Sequence, residues 1–318
     1  MPFSKGVEKY FKQEVKLNET KTIEDKQATF KAFATLFPNA DVGLIDKAQA
    51  SDFKDLLLQG QANIARINKK LGHMSHFMGW AMIHGHAESN PFKGLEVGTR
   101  SQAAKLVDSY EQFTSEHLRR IFDPESYAEY ADGKPHFYWL PFLLLHTGAR
   151  PEELAGINLR NVCYEEEIHF FRVRSGKTTN SQRRIPFHKA VRESAFMDYL
   201  KKRKEEDPAG QLFPLLKDGK NGYLKNVSRR FNEIYLVKNL KIDEKTRKLY
   251  SFRTTFINGL TQSTGENAAK VMAIVGHYNQ AGLDLSGVHF STYQQDKPLK
   301  FLQQVMDSYH TIELPMKF

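Results

Sequence analysis

The sequence predicts a mainly α-helical protein with one small β-hairpin: a helical N-terminal domain followed by a mixed α+β domain. Three observations carry this expectation. Apolar residues recur at helix spacing through the first hundred positions. The clearest β-prone runs, Ile168 to Arg174 and Arg183 to Phe187, flank a segment of turn-forming residues, Ser175-Gly176-Lys177-Thr178-Thr179-Asn180-Ser181. The Pro- and Gly-punctuated stretch from Asn90 to Thr99 reads as a linker, which divides the 318 residues into domains at 1–98 and 99–318.

Taken in order, Thr22 followed by Asp25 marks a first helix start, and Phe30, Phe33 and Phe37 fall at core spacing up to Pro38. A second start is expected at Ser51 or Asp52. A longer helix should then align Ile64, Ile67, Leu71, Met74, Met78 and Met82 along one stripe. Beyond the linker, Thr114 or Ser115 can cap a helix running through Leu118. The apolar run Phe137 to Leu145 should lead through a turn at Gly148 to a further apolar segment at Leu154, Ile157 and Leu159. After the hairpin, helices are expected at Ala190 to Lys204, Leu224 to Lys238, Phe252 to Thr261, Ala268 to Val275 and Leu299 to Met306.

Charge narrows the function classes. The net charge is +9, yet residues 1–99 contribute only +2 (13 basic, 11 acidic), while residues 171–253 contribute +13 (22 basic, 9 acidic). Basic residues concentrated in one region are the electrostatic footprint of a polyanion-binding face, which points to nucleic acid. No strongly basic amphipathic helix suggests a membrane surface, and the longest apolar run is too short to span a bilayer. The single cysteine, Cys163, excludes an intrachain disulfide, and with no signal peptide at the N-terminus the expected location is cytoplasmic and nucleoid-associated.

The stretch His146-Thr147-Gly148-Ala149-Arg150-Pro151-Glu152-Glu153-Leu154 sets a lone arginine on a glycine turn anchored by core on both sides, a placement suited to gripping a phosphate. Ser175-Gly176-Lys177-Thr178 is similar to the end of a nucleotide-binding loop, but Phe171 occupies the required first glycine and a strand follows instead of a helix. His73, His76, His84 and His86 lack cysteine or carboxylate partners at ligand spacing, so no metal site is expected.

Arg150, Lys177, Tyr250-Ser251-Phe252-Arg253, Gly276-His277 and Tyr293, in that order, resemble the tyrosine recombinase (phage integrase) family over essentially the whole chain. The resemblance implies a helical core-binding domain and a catalytic domain that cuts and rejoins double-stranded DNA at attachment sites without metal or nucleotide cofactor. It further implies a homo-tetramer on two duplexes, with accessory DNA-bending or directionality factors as possible partners. Two guanidiniums, Arg150 and Arg253, would meet the charge that develops on the nonbridging oxygens during attack. Tyr293 would be the nucleophile, leaving a 3′-phosphotyrosyl link, with Lys177 as general acid and His277 hydrogen-bonding the phosphate or assisting proton transfer.

Two departures stand out: Tyr250 occupies the usual histidine position, and the gap from His277 to Tyr293 is long, so Tyr278 and Tyr309 are alternative nucleophiles. The apolar stripe of Leu299, Leu302, Val305 and Met306 is expected to dock on a neighbouring subunit. A type IB topoisomerase and a non-catalytic DNA-binding protein are the alternative functions.

Overall fold

The computed structural model describes residues 1–14, 18–60, 63–98, 110–173, 182–220, 222–265, 267–276, 298–311 and 313–315. They fall into two compact units, Met1–Asp108 and Ser109–Phe318. In the first, helices α1 (Phe3–Glu14), α2 (Thr20–Leu36), α3 (Lys47–Gln59) and α4 (Ile64–Ile83) enclose a phenylalanine-rich core of Phe3, Phe30, Phe33, Phe53, Phe77 and Phe92. The expected stripe on α4 is buried at Ile67, Leu71, Met74 and Met78, but Met82 is exposed because it lies in the last turn, beyond the packed face. Two helix starts lie upstream of their expected positions. Helix α2 opens at Thr20, and α3 opens at Lys47, where Asp46 accepts from Gln49 N (2.9 Å) and Gln49 Oε1 accepts from Asp46 N (3.3 Å), a reciprocal cap that outcompetes Ser51.

The second unit begins with α5 (Ser115–Ile121), α6 (Pro124–Ala131) and α7 (Pro135–Thr147). Thr114 caps α5 as expected, its hydroxyl accepting from His117 N at 3.2 Å. Helix α7 is buried along almost its whole length, as its uninterrupted apolar run requires. Pro141 sits inside it and cannot donate a hydrogen bond back to the first turn. The Tyr127 hydroxyl lies 3.5 Å from the Phe137 carbonyl left without that donor and donates to the next one, Tyr138 O, at 2.5 Å.

A three-stranded antiparallel sheet follows, in the order β1 (Val162–Glu165), β2 (Ile168–Val173), β3 (Arg183–Pro186). The β2–β3 register pairs Phe171 with Ile185 and Val173 with Arg183, consistent with the expected hairpin, while β1 is an addition to it. The helix expected at 190–204 is two, α8 (Lys189–Arg192) and α9 (Phe196–Glu206). The remaining elements are α10 (Lys225–Arg229) with a π-helical continuation through Arg230–Asn239, then α11 (Ser251–Ser263), α12 (Ala268–Val275) and α13 (Leu299–Asp307).

Helix α13 corrects one expectation. Leu299, Leu302, Val305 and Met306 are not available to a neighbouring subunit: each is at most 4% exposed, packed against β2, β3 and α12 of the same unit. An ion pair from Arg192 to Asp307 (3.1 Å) and a hydrogen bond from Gln303 Nε2 to Phe187 O (3.1 Å) hold it there. The stripe packs on β2 and β3, supplying apolar cover that a short sheet needs on its core face.

Behind this helix, His146 at the end of α7 stacks on His188 with ring centres 5.3 Å apart, and His188 Nε2 meets Tyr309 O at 3.0 Å. Burial, then the neighbouring His188, pushes the His146 pKa down to about 3, so the ring is neutral in the folded protein. In the unfolded chain it would protonate near its ordinary value of 6.5. Its contribution to stability is therefore complete above that value and lost as pH falls toward about 3. Acidification through this window should cost about 1.4 kcal/mol per pH unit from this residue. Urea unfolding of the wild type and of His146→Leu from pH 7 to pH 5 checks this: the variant should show the shallower slope, and parallel slopes would refute it.

Candidate active site

The site is built where α7 ends. Gly148 terminates that helix in the left-handed region (φ 58°), and a Cβ there would overlap the Phe256 ring of α11, so the turn requires glycine on both conformational and steric grounds. Thr147 secures the same turn, its hydroxyl donating to Leu143 O (2.7 Å) and accepting from Ala149 N (3.3 Å). Arg150 then takes an extended conformation (φ −68°, ψ 137°), and Pro151 starts the short helix Pro151–Ala155.

Glu153, one turn into that short helix, is the centre of the arrangement. Its Oε2 accepts from Arg150 N (2.8 Å) and from Arg183 Nη2 (2.7 Å); its Oε1 accepts from Arg150 Nη1 (2.9 Å) and from Arg183 Nη1 (3.2 Å). The Glu153 side chain is 7% exposed and that of Arg183 4%, whereas the Arg150 side chain is 33% exposed. Burial works to raise the Glu153 pKa, but hydrogen bonds and charge from Arg183 and then Arg150 outweigh it and hold the carboxylate ionised.

Arg253, in the first turn of α11, is buried. Its Nη1 donates to Gly148 O and its Nη2 to Val275 O (2.9 Å). Arg183 Nε donates to the adjacent carbonyl, Ile274 O, at 3.0 Å. Two guanidiniums thus satisfy consecutive carbonyls at the C-terminal end of α12, where a helix leaves acceptors without intrahelical donors and where its dipole favours positive charge. Burial, followed by the charge of Arg183, lowers the Arg253 pKa to about 10; Arg150 acts in the same direction, while Tyr250 and Glu153 oppose it. Arg150 and Arg183 share the Glu153 carboxylate, and Arg253 lies within electrostatic reach of all three, so these four side chains together carry a net charge of +2. A bound phosphate would relieve that surplus.

Of the residues expected in the site, the structure brings together Arg150, Arg253 and Tyr250. Tyr250 immediately precedes α11, and its ring packs on Tyr110 with centres 5.0 Å apart. Lys177, His277 and Tyr293, and the alternative nucleophile Tyr278, lie outside the described residues. The described flanks of two of these segments converge here: Arg183 begins β3 after the Lys177 segment, and Ile274 and Val275 precede His277. Tyr309, the other alternative nucleophile, is 2% exposed and packs at a tilt against Phe256, which removes it from solvent. Glu153 and Arg183 were not expected in the site. Glu153 had a sequence signal, a carboxylate at the third helical position after Arg150, whereas Arg183 had only its place at the start of a strand. Among the described residues, no cluster of three His, Cys, Asp or Glu is placed to hold a metal ion, and no helix is long and apolar enough to cross a membrane.

Residues 114–283 match the model of the Phage integrase family. Among solved structures, the chain is similar to a lambda integrase dimer bound to a COC′ core site, at 16% identity and a TM-score of 0.62, over 94% of this chain and 99% of that one. It is also similar to the Tn1549 transposon integrase in complex with transposon right end DNA, at 17% identity and a TM-score of 0.62, over 96% and 98% of the two chains. A lambda integrase tetramer bound to a Holliday junction matches at 16% identity and a TM-score of 0.64, over 91% of this chain and 81% of that one. At such identities the likeness speaks to the fold. No curated protein matches the chain.

Proposed function

The chain belongs to the phage integrase family and is a site-specific DNA recombinase; from that premise we propose that the Arg150–Arg253 cluster receives the scissile phosphate and that Tyr293 attacks it. The observation that carries this reading is the +2 surplus around Glu153, with Arg150 as its solvent-reaching member. Attack on a phosphodiester adds negative charge to the nonbridging oxygens, and guanidinium donors already fixed in place stabilise that charge without reorganising.

In this reading the Tyr293 hydroxyl passes its proton to His277 or to solvent, and its oxygen forms a bond to phosphorus as the bond to the 5′ oxygen breaks. Lys177 supplies the proton that converts the leaving oxygen to a 5′ hydroxyl. The 3′-phosphotyrosyl link retains the bond energy, so the reverse attack by a 5′ hydroxyl of another strand reseals DNA without a nucleotide cofactor. His277 hydrogen-bonds the phosphate or assists proton transfer, and Tyr250 positions the phosphate or a neighbour through its hydroxyl. The N-terminal helical unit serves as the second DNA-binding domain, and four copies act on two duplex attachment sites, with accessory DNA-bending or directionality factors as further partners.

The test is incubation with duplexes from the DNA flanking the coding region, nicked near the crossover so that the released strand diffuses away. A protein–DNA adduct that survives denaturation and forms equally with and without EDTA is expected. Cleavage that needs added magnesium and leaves free DNA ends would overturn the proposal.

A further inference from the structure

We infer that Arg183 is a positioning residue for strand cleavage: by filling the second acceptor site on each Glu153 oxygen, it limits how Glu153 can hold Arg150 and leaves Arg150 donors for the phosphate. This rests on the reading of Arg150 as a phosphate contact. Glu153 accepts four hydrogen bonds, one from Arg150 and one from Arg183 at each oxygen, the Arg150 donor being Nη1 at Oε1 and the backbone N–H at Oε2. A carboxylate has about four lone-pair sites, so Glu153 is saturated. Arg150 accordingly gives its side chain to Glu153 through Nη1 alone.

Arginine and carboxylate otherwise favour a two-pronged pairing. If Arg183 were lost, Glu153 would be free to turn and take that second prong from Arg150, drawing donors and orientation away from the substrate. Arg183 is fixed for its task at its other edge, where Nε donates to Ile274 O (3.0 Å). It starts β3, so one side chain ties the strand that follows Lys177, the turn that carries Arg150 and the helix end that leads to His277. Its side chain is 4% exposed and so lies inside the protein.

The experiment is single-turnover cleavage of the nicked substrate, with DNA affinity measured separately, for wild type, Arg183→Gln, Arg150→Ala and the double variant. Arg183→Gln should lower the cleavage rate constant at saturating DNA by about tenfold to a hundredfold, the scale of a small misplacement at a reacting centre, with affinity unchanged within about twofold. In the Arg150→Ala background it should add nothing, because a residue that acts through another has no effect once that other is gone. Arg183→Lys, which keeps the charge and can retain one bond to Glu153, should recover part of the rate; it also replaces Arg183→Gln in the cycle if thermal unfolding shows that variant to be misfolded. Wild-type cleavage by the Arg183 variants, a loss that multiplies with that of Arg150→Ala, or a loss confined to affinity would overturn the inference while leaving the role of Arg150 intact. Wild-type cleavage by Arg150→Ala would overturn both.

Discussion

Arg150→Ala is expected to slow covalent adduct formation by about 10² to 10³, the usual effect of removing one preorganised donor from a charge-stabilising site. The expectation is specific to this arginine because it alone of the three guanidiniums reaches solvent appreciably, at 33% side-chain exposure. Its loss leaves Glu153 paired with Arg183 through two hydrogen bonds, so the framework behind it stays satisfied. Thermal unfolding should therefore change little while the rate collapses. DNA affinity should also hold, since many other basic residues of the 171–253 segment remain to meet the backbone. A rate within threefold of wild type on a folded variant would remove Arg150 from the phosphate.

The second large effect is expected from Gly148→Ala, through structure. The backbone at Gly148 is left-handed, which costs a residue with a Cβ about 1–2 kcal/mol, and the added methyl would overlap Phe256, whose Cε1 would lie 2.7 Å away. Overpacking of this kind costs a further 1–3 kcal/mol or so. Phe256 cannot easily yield, since its ring also packs against Tyr309, with centres 4.6 Å apart. Gly148 O is also an anchor for Arg253, so a shifted turn disturbs both arginines at once. Urea unfolding should show the loss of stability, and cleavage should fall with it. Wild-type stability and activity together would show that the turn tolerates a side chain and that the packing described here is wrong.

The parts of this site that could be read from the sequence are those specified locally. Gly148 and Arg150 are legible because a helix end needs a left-handed residue and the chain announces it with glycine between two apolar runs. The hairpin is legible because β-prone runs flank turn-forming residues. Strand β1 was not, since Val162–Glu165 is short and mostly outside the core, with only Val162 buried. The Arg183–Glu153 pair joins residues 30 positions apart, and no periodicity or turn rule connects them. Helix α13 shows the converse limit: its apolar stripe was plain, but a stripe says that a face is covered and not by what. The short sheet of the same unit turned out to be the cover's other half.

The central claim is that the arginine cluster serves a tyrosine nucleophile at position 293, and peptide mapping of the trapped adduct tests it most directly. Protein captured on the nicked substrate is digested, and the DNA-linked peptide is identified by mass spectrometry, alongside Tyr293→Phe. The account predicts a phosphotyrosyl link on Tyr293 in the wild type, and a variant that binds DNA but forms no adduct. An adduct mapped to Tyr278 or Tyr309, or formed at wild-type yield by Tyr293→Phe, would contradict it.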